Sequence, residues 1–163
     1  MLNWDFLHDG DESFGMFYPR HYTLAGFADH DAAESAAKEI AASGFAATDV
    51  HVVRGHELVS RIEQQEADHG WLDRIKAGIA EFIGTETYFI DQDITLAKRG
   101  GSFVLVYTPD EEDGARLATV LRANNAEYAR RYLNMAIERL IEPPAEIRHD
   151  ADQERHDGTR GLS

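Results

Sequence analysis

No cysteine occurs in the 163 residues, which excludes disulfides, thiol catalysis and thiolate metal sites together. Bases are scarce as well: 16 Lys and Arg face 30 Asp and Glu, a formal net charge of −14. A phosphate backbone needs clustered bases, so nucleic-acid binding is not expected. Adsorption to an anionic membrane is disfavoured for the same reason. No run approaches the roughly 18 apolar residues of a membrane span. The opening Met1-Leu2-Asn3-Trp4-Asp5 has neither a basic n-region nor an apolar h-region, so a cytoplasmic protein is expected. Hydrophobic residues are plentiful, at 43% of the chain, and one domain with a buried core follows.

Three segments differ in composition. Residues 1–20 carry Asp5, Asp9, Asp11 and Glu12 with no base before Arg20, interleaved with Trp4, Phe6, Phe14, Phe17 and Tyr18. So many aromatics predict an arm that docks on the domain or on a partner. Residues 143–163 follow Pro143-Pro144 and are acidic, small and polar, the composition of a disordered tail. The folded domain is then 21–142.

Within it the hydrophobic period changes repeatedly. Tyr22 to Phe27 reads as a strand and Ala32 to Ser43 as a helix. Asp29 or Asp31 caps that helix, and Gly44 stops it. Asp49 to Arg54 reads as a second strand, and Ser102 to Tyr107 is the clearest strand of the chain. Thr108-Pro109-Asp110-Glu111 has the form of a capping box before a helix lined by Leu117, Val120 and Leu121, with Asn124-Asn125 as its stop. Phe27/Tyr107, Ala37/Leu117, Ile40/Val120 and Ala41/Leu121 each lie 80 residues apart, a faint duplication of a strand–helix–strand unit. Two such halves predict an α+β fold, a ferredoxin-like βαβ-βαβ plait with its fourth strand near Glu127 to Tyr132. Met135 to Ile141 reads as a closing helical turn.

Residues 55–101 form a helical insertion between the halves. Leu58, Val59 and Ile62 begin one stripe; Leu72, Ile75, Ile79, Phe82 and Ile83 form another, stopped at Gly84. Thr85 or Thr87 then caps a third helix carrying Ile90, Ile94 and Ala97. The apolar faces must be covered by the open sheet face or by a second subunit.

The run Tyr88-Phe89-Ile90-Asp91, Leu96 to Val106 and Pro109-Asp110-Glu111 resembles the bacterial heat-induced or general stress protein domain family. Leu24 to Gly44 is similar to that family's opening unit, and the resemblance spans about residues 22–132. It implies a stress-associated accessory protein, with no catalytic residues to carry over. The Gly-rich apolar segment common in such domains is replaced here by a charged, amphipathic stretch from Gly70 to Gly84, so no membrane role is expected.

Candidate sites follow from residue type. Arg54 at a strand end and Lys98-Arg99-Gly100-Gly101 before another strand could meet a small anion, the bases neutralising it and the glycine amides approaching it. Ordinary helix termination explains the same basic-Gly-Gly run. Glu66 and His69, like Glu146 and His149, have the i, i+3 spacing of a carboxylate–imidazole metal pair, and chance in an acidic, His-containing chain explains them equally. His51, His56 and Glu57 could converge at a strand end, and a polar strand exit explains them equally. No nucleotide fingerprint and no nucleophile elbow occurs. The expected protein is non-enzymatic and cofactor-free, acting through self-association or a protein partner. The alternative is a sensor of a small anionic ligand held between sheet and insertion, and a third reading is a metal-dependent activity built on Glu66 and His69.

Overall fold

The computed structural model describes residues 2–13, 16–69 and 80–148, with Ser13, 66–69 and 80–87 described by backbone alone. It is a mixed α+β structure built around a five-stranded antiparallel sheet. In chain order the elements are β1 (Glu12–Ser13), β2 (Met16–Phe17), β3 (Tyr22–Phe27), α1 (His30–Ala42), a 3-10 turn (Ala47–Asp49), β4 (Val50–Arg54) and α2 (Gly55–His69). There follow α3 (Ala80–Lys98), β5 (Ser102–Tyr107), α4 (Glu111–Ala123), β6 (Tyr128–Tyr132) and β7 (Ile137–Ile141). The large sheet has the order β4-β5-β3-β6-β7, and β1 and β2 form a separate two-stranded ladder.

The central strands β3 and β5 are buried at nearly every position because both faces of the sheet are covered. Ala25, Phe27, Val104, Val106 and Ala129 face α1 and α4, meeting Ala33, Ala36, Ile40, Leu117 and Leu121. Tyr22, Leu24, Phe103, Leu105, Tyr128 and Tyr132 form the other face. There Leu58 and Ile62 of α2 and Ile90 and Leu96 of α3 pack with Leu7, Met16, Phe17 and Tyr18. The described part of the insertion therefore buries its apolar face on its own sheet.

Several local expectations hold. The Asp29 carboxylate accepts the Ala32 N–H at 2.8 Å and caps α1. Asn125 has φ 60° after α4, as a left-handed stop requires.

Others are overturned. The helix after Thr108 starts at Glu111, with Asp110 in the N-cap position and no side-chain cap. The Thr108 hydroxyl instead meets that of Thr23 at 2.8 Å in the core. Residues 135–141 are not helical: Leu133 donates to the Ala136 carbonyl at 2.8 Å, closing a tight hairpin into β7. Gly84 does not stop a helix, since α3 runs through it and through Thr85 and Thr87. Glycine inside a helix costs only about 0.5–1 kcal/mol, which burial of the later turns outweighs. The packed chain also extends beyond residue 142, because Pro143 and Ile147 are buried and 145–148 is a helical turn. Leu72, Ile75, Ile79 and the tail from His149 lie outside the described residues. Among those described, no helix is long and apolar enough to cross a membrane.

Candidate functional site

Helix α2 starts where β4 ends. The Glu57 carboxylate reaches back to the Arg54 backbone N–H at 2.9 Å, the half of a capping box that satisfies the N-cap donor. Leu58, Ile62 and Gln65 lie on the buried side of α2, while His56, Ser60, Glu63 and Gln64 are exposed.

The N-terminal arm crosses over this region. Arg61 of α2 grips the Asp11 carboxylate with two hydrogen bonds, Nε to Oδ2 at 2.7 Å and Nη2 to Oδ1 at 3.0 Å. Gln65 donates to the Asp11 carbonyl at 3.0 Å. Further along the arm, Asp9 pairs with His21 at 2.7 Å and accepts the Tyr107 hydroxyl at 3.1 Å. His8 pairs with Asp49 at 3.0 Å, and the Tyr22 hydroxyl donates to the Phe6 carbonyl at 3.2 Å. The His21 hydrogen bond holds the Asp9 carboxyl below its usual range, while burial pushes the Tyr22 phenol up to about 12 and Tyr107 upward. Both phenols thus remain hydrogen-bond donors at neutral pH. This set of contacts clasps the arm to the domain.

Between the arm and α2 lies a cleft of about 630 Å³, lined by Leu2 and Trp4 on one side and by His56, Glu57, Ser60, Arg61, Glu63 and Gln64 on the other. Trp4 is braced from behind, stacked on Phe6 at 5.8 Å and edge-on to Phe17 at 5.6 Å between ring centroids. Phe6 in turn stacks on His51 at 4.0 Å. Asp11 already neutralises Arg61, so among the described lining residues the carboxylates of Glu57 and Glu63 carry the remaining charge of the rim.

The residues singled out by sequence fare differently. Arg54 is the register partner of Ser102, so the β4 end and the Lys98–Gly101 turn do come together at one end of the sheet. The turn itself is a helix terminator. Gly100 has φ 89°, its amide donates to the Ala97 carbonyl at 3.0 Å, and the Gly101 amide donates to the Leu96 carbonyl at 3.0 Å. That is the Schellman pattern, so both amides are committed to α3 and turned away from any anion. Arg99 lines a smaller cavity of about 220 Å³ with Glu127, Glu146 and Ile147, where two carboxylates oppose an anion. Nothing lies within 4 Å of a Cβ built on Gly100. Gly100→Ala should therefore meet no clash and show only the strain of a Cβ in the left-handed region, about 1 kcal/mol in urea unfolding, and a stabilised variant would contradict the left-handed stop.

His56 and Glu57 both line the cleft, Glu57 also capping α2, whereas His51 lies apart from them, stacked under the arm. Glu66 and His69 lie one turn apart on α2, with side chains outside the described set, as is His149. Among the described residues no group of three or more His, Asp or Glu could hold a metal ion.

Sequence reasoning missed Trp4, Arg61 and Glu63 as partners. The exposed positions 56, 60, 63 and 64 were legible as one helical face, but nothing local placed Leu2 and Trp4 opposite it. Comparison with family models, with curated proteins and with solved structures finds no match.

Proposed function

We propose that this protein is a non-catalytic sensor of a small organic cation with an apolar body, and that its core is a ferredoxin-like plait. Two strand–helix–strand units with α1 and α4 on one face, and the antiparallel order β6-β3-β5-β4, support the plait reading. In that reading β7, the arm and the α2–α3 insertion are additions to it.

The lining of the cleft carries the ligand reading. A braced indole and Leu2 offer apolar and π surface, while Glu63, and Glu57 beyond its capping contact, supply negative charge. A cation over a tryptophan face gains about 0.5–2 kcal/mol, and carboxylates on the facing wall add to it. An anion would meet the opposite field, within a chain already at −14. A stress-associated role is compatible with such a sensor. Self-association through the insertion ranks below it, because the described apolar residues of α2 and α3 are packed on the chain's own sheet.

Calorimetric titration with the phenethylammonium ion, compared with neutral phenethyl alcohol and with phenylacetate, tests this. The cation should bind best, and Trp4→Ala and Glu63→Gln should each weaken it by roughly tenfold. Equal binding of the anion, or indifference to Trp4→Ala, would overturn the reading.

A further inference from the structure

The wall of the cleft is the last ring of a stack that begins at a titratable group. Trp4 faces the cleft, Phe6 lies behind it, and His51 lies behind Phe6. His51 sits on the edge strand β4, and its ring has two very different nitrogens. One hydrogen-bonds the backbone of Thr48. The other, Nε2, is buried and has no hydrogen-bond partner.

A neutral imidazole tolerates this arrangement, since the unpartnered nitrogen is then a lone pair. A proton added at Nε2 creates a buried N–H with no acceptor, at the cost of its desolvation. The ring can meet that proton with water only by swinging out from under Phe6. We infer that His51 is a proton-sensitive latch on the arm: protonation at Nε2 loosens the Phe6–Trp4 wall and, resting on the binding reading above, empties the cleft.

The charged groups around His51 set the balance. Asp49 in the 3-10 turn attracts the imidazolium, and His8 from the arm repels it. Burial outweighs both and holds the imidazole below its ordinary value. The sign follows. The docked arm takes up fewer protons than the released one, so docking weakens as pH falls below about 6.5, and the loss levels off below the lowered value. Asp9 acts in a separate window, because its lowered carboxyl loses its contribution only as pH falls through the acid range below ordinary carboxylate values.

The test is an NMR titration of the whole chain between pH 7.5 and 5, following the His51 ring and the Trp4 indole without ligand. It is accompanied by phenethylammonium affinities at both ends of the range. Both signals should move with one midpoint, and affinity should fall by up to about tenfold per pH unit, the slope of one coupled proton. In His51→Phe, which keeps a ring on Phe6 but cannot titrate, the Trp4 response should vanish. His8→Asn should retain it. A Trp4 signal that ignores the His51 titration in the native chain overturns the latch even if His51→Phe does not fold, and an unchanged response in that variant does so too. A probe that binds at neither pH, while Trp4 still follows His51, overturns the binding reading and leaves the latch standing.

Discussion

Arg130→Met should lower the melting temperature by roughly 10 °C, although it places a hydrophobic residue in a hydrophobic core. Arg130 is the largest of the fully buried side chains, and it sits in the middle of β6. Its guanidinium pairs with Asp93 of α3, donates from Nε to the Tyr132 hydroxyl at 2.9 Å, and lies 4.9 Å from the Phe89 ring centroid. The Tyr128 hydroxyl donates to the other Asp93 oxygen at 2.6 Å. Removing the cation leaves a carboxylate that is 0% exposed with only a phenol to share its charge.

Breaking a buried pair in this way costs about 3–5 kcal/mol. Burial pushes the Asp93 carboxyl up despite Arg130 and Tyr128 pulling it down, so desolvation is the dominant effect on the carboxylate. Replacing both partners should therefore be far milder than replacing one. The set Asp93→Leu, Arg130→Met and Tyr128→Phe, which leaves no orphaned polar atom on this carboxylate, should recover most of the loss. Calorimetric melting of the single and combined variants checks this. A single variant costing under about 1 kcal/mol would mean that water reaches the pair in solution.

Gly55→Ala should destabilise by about 1–3 kcal/mol, against the helix-propensity rule that alanine is better than glycine by up to about 1 kcal/mol. Gly55 is the first residue of α2, and a Cβ there would lie 2.5 Å from the Gly101 carbonyl oxygen and 3.0 Å from the Ala97 Cα. Both obstacles are backbone, so no rotamer change relieves them. The start of α2, the end of α3 and the start of β5 meet at this point, and a displaced α2 would carry one wall of the cleft with it. Urea unfolding should show the loss, and phenethylammonium affinity should fall with it. A neutral or stabilising Gly55→Ala would mean that the α2–α3 junction is looser than the structure has it.

These two sites show where local reading stops. Tyr128-Ala129-Arg130-Arg131-Tyr132 makes a poor strand by composition, yet it is buried throughout and lies between β3 and β7. The two arginines are accommodated on opposite faces. Arg130 meets Asp93 on the α3 side, whereas Arg131 donates to the Thr108 carbonyl at 2.9 Å, beside Gly114 of α4. Ile137 and Ile141 have the i, i+4 spacing of a helix face, but in β7 the register shift opposite Ala129/Arg130 sends them to different cores, Ile137 to the one shared with α2 and α3 and Ile141 to the one shared with α1 and α4. The basic-Gly-Gly run was legible as a chain stop, and as an anion site it failed because α3 consumes the amides.

By itself the sequence determined what depends on neighbours within a few residues: β5 at Ser102–Tyr107, the Asp29 cap, the Gly100 stop, and the α+β alternation of the core. Those features are set by side-chain period, φ preference and short-range hydrogen bonds. The want of cysteine likewise needed no structure to exclude thiol chemistry, and the scarcity of bases made nucleic-acid binding unexpected. Only the tertiary structure decided that the arm lies across α2, that His51 stacks on Phe6 and Phe6 on Trp4, and that Asp93 meets Arg130. Each of these joins residues some 35 or more apart in the chain, or lays the arm across a distant element, and the partner is chosen by shape and desolvation over the whole core.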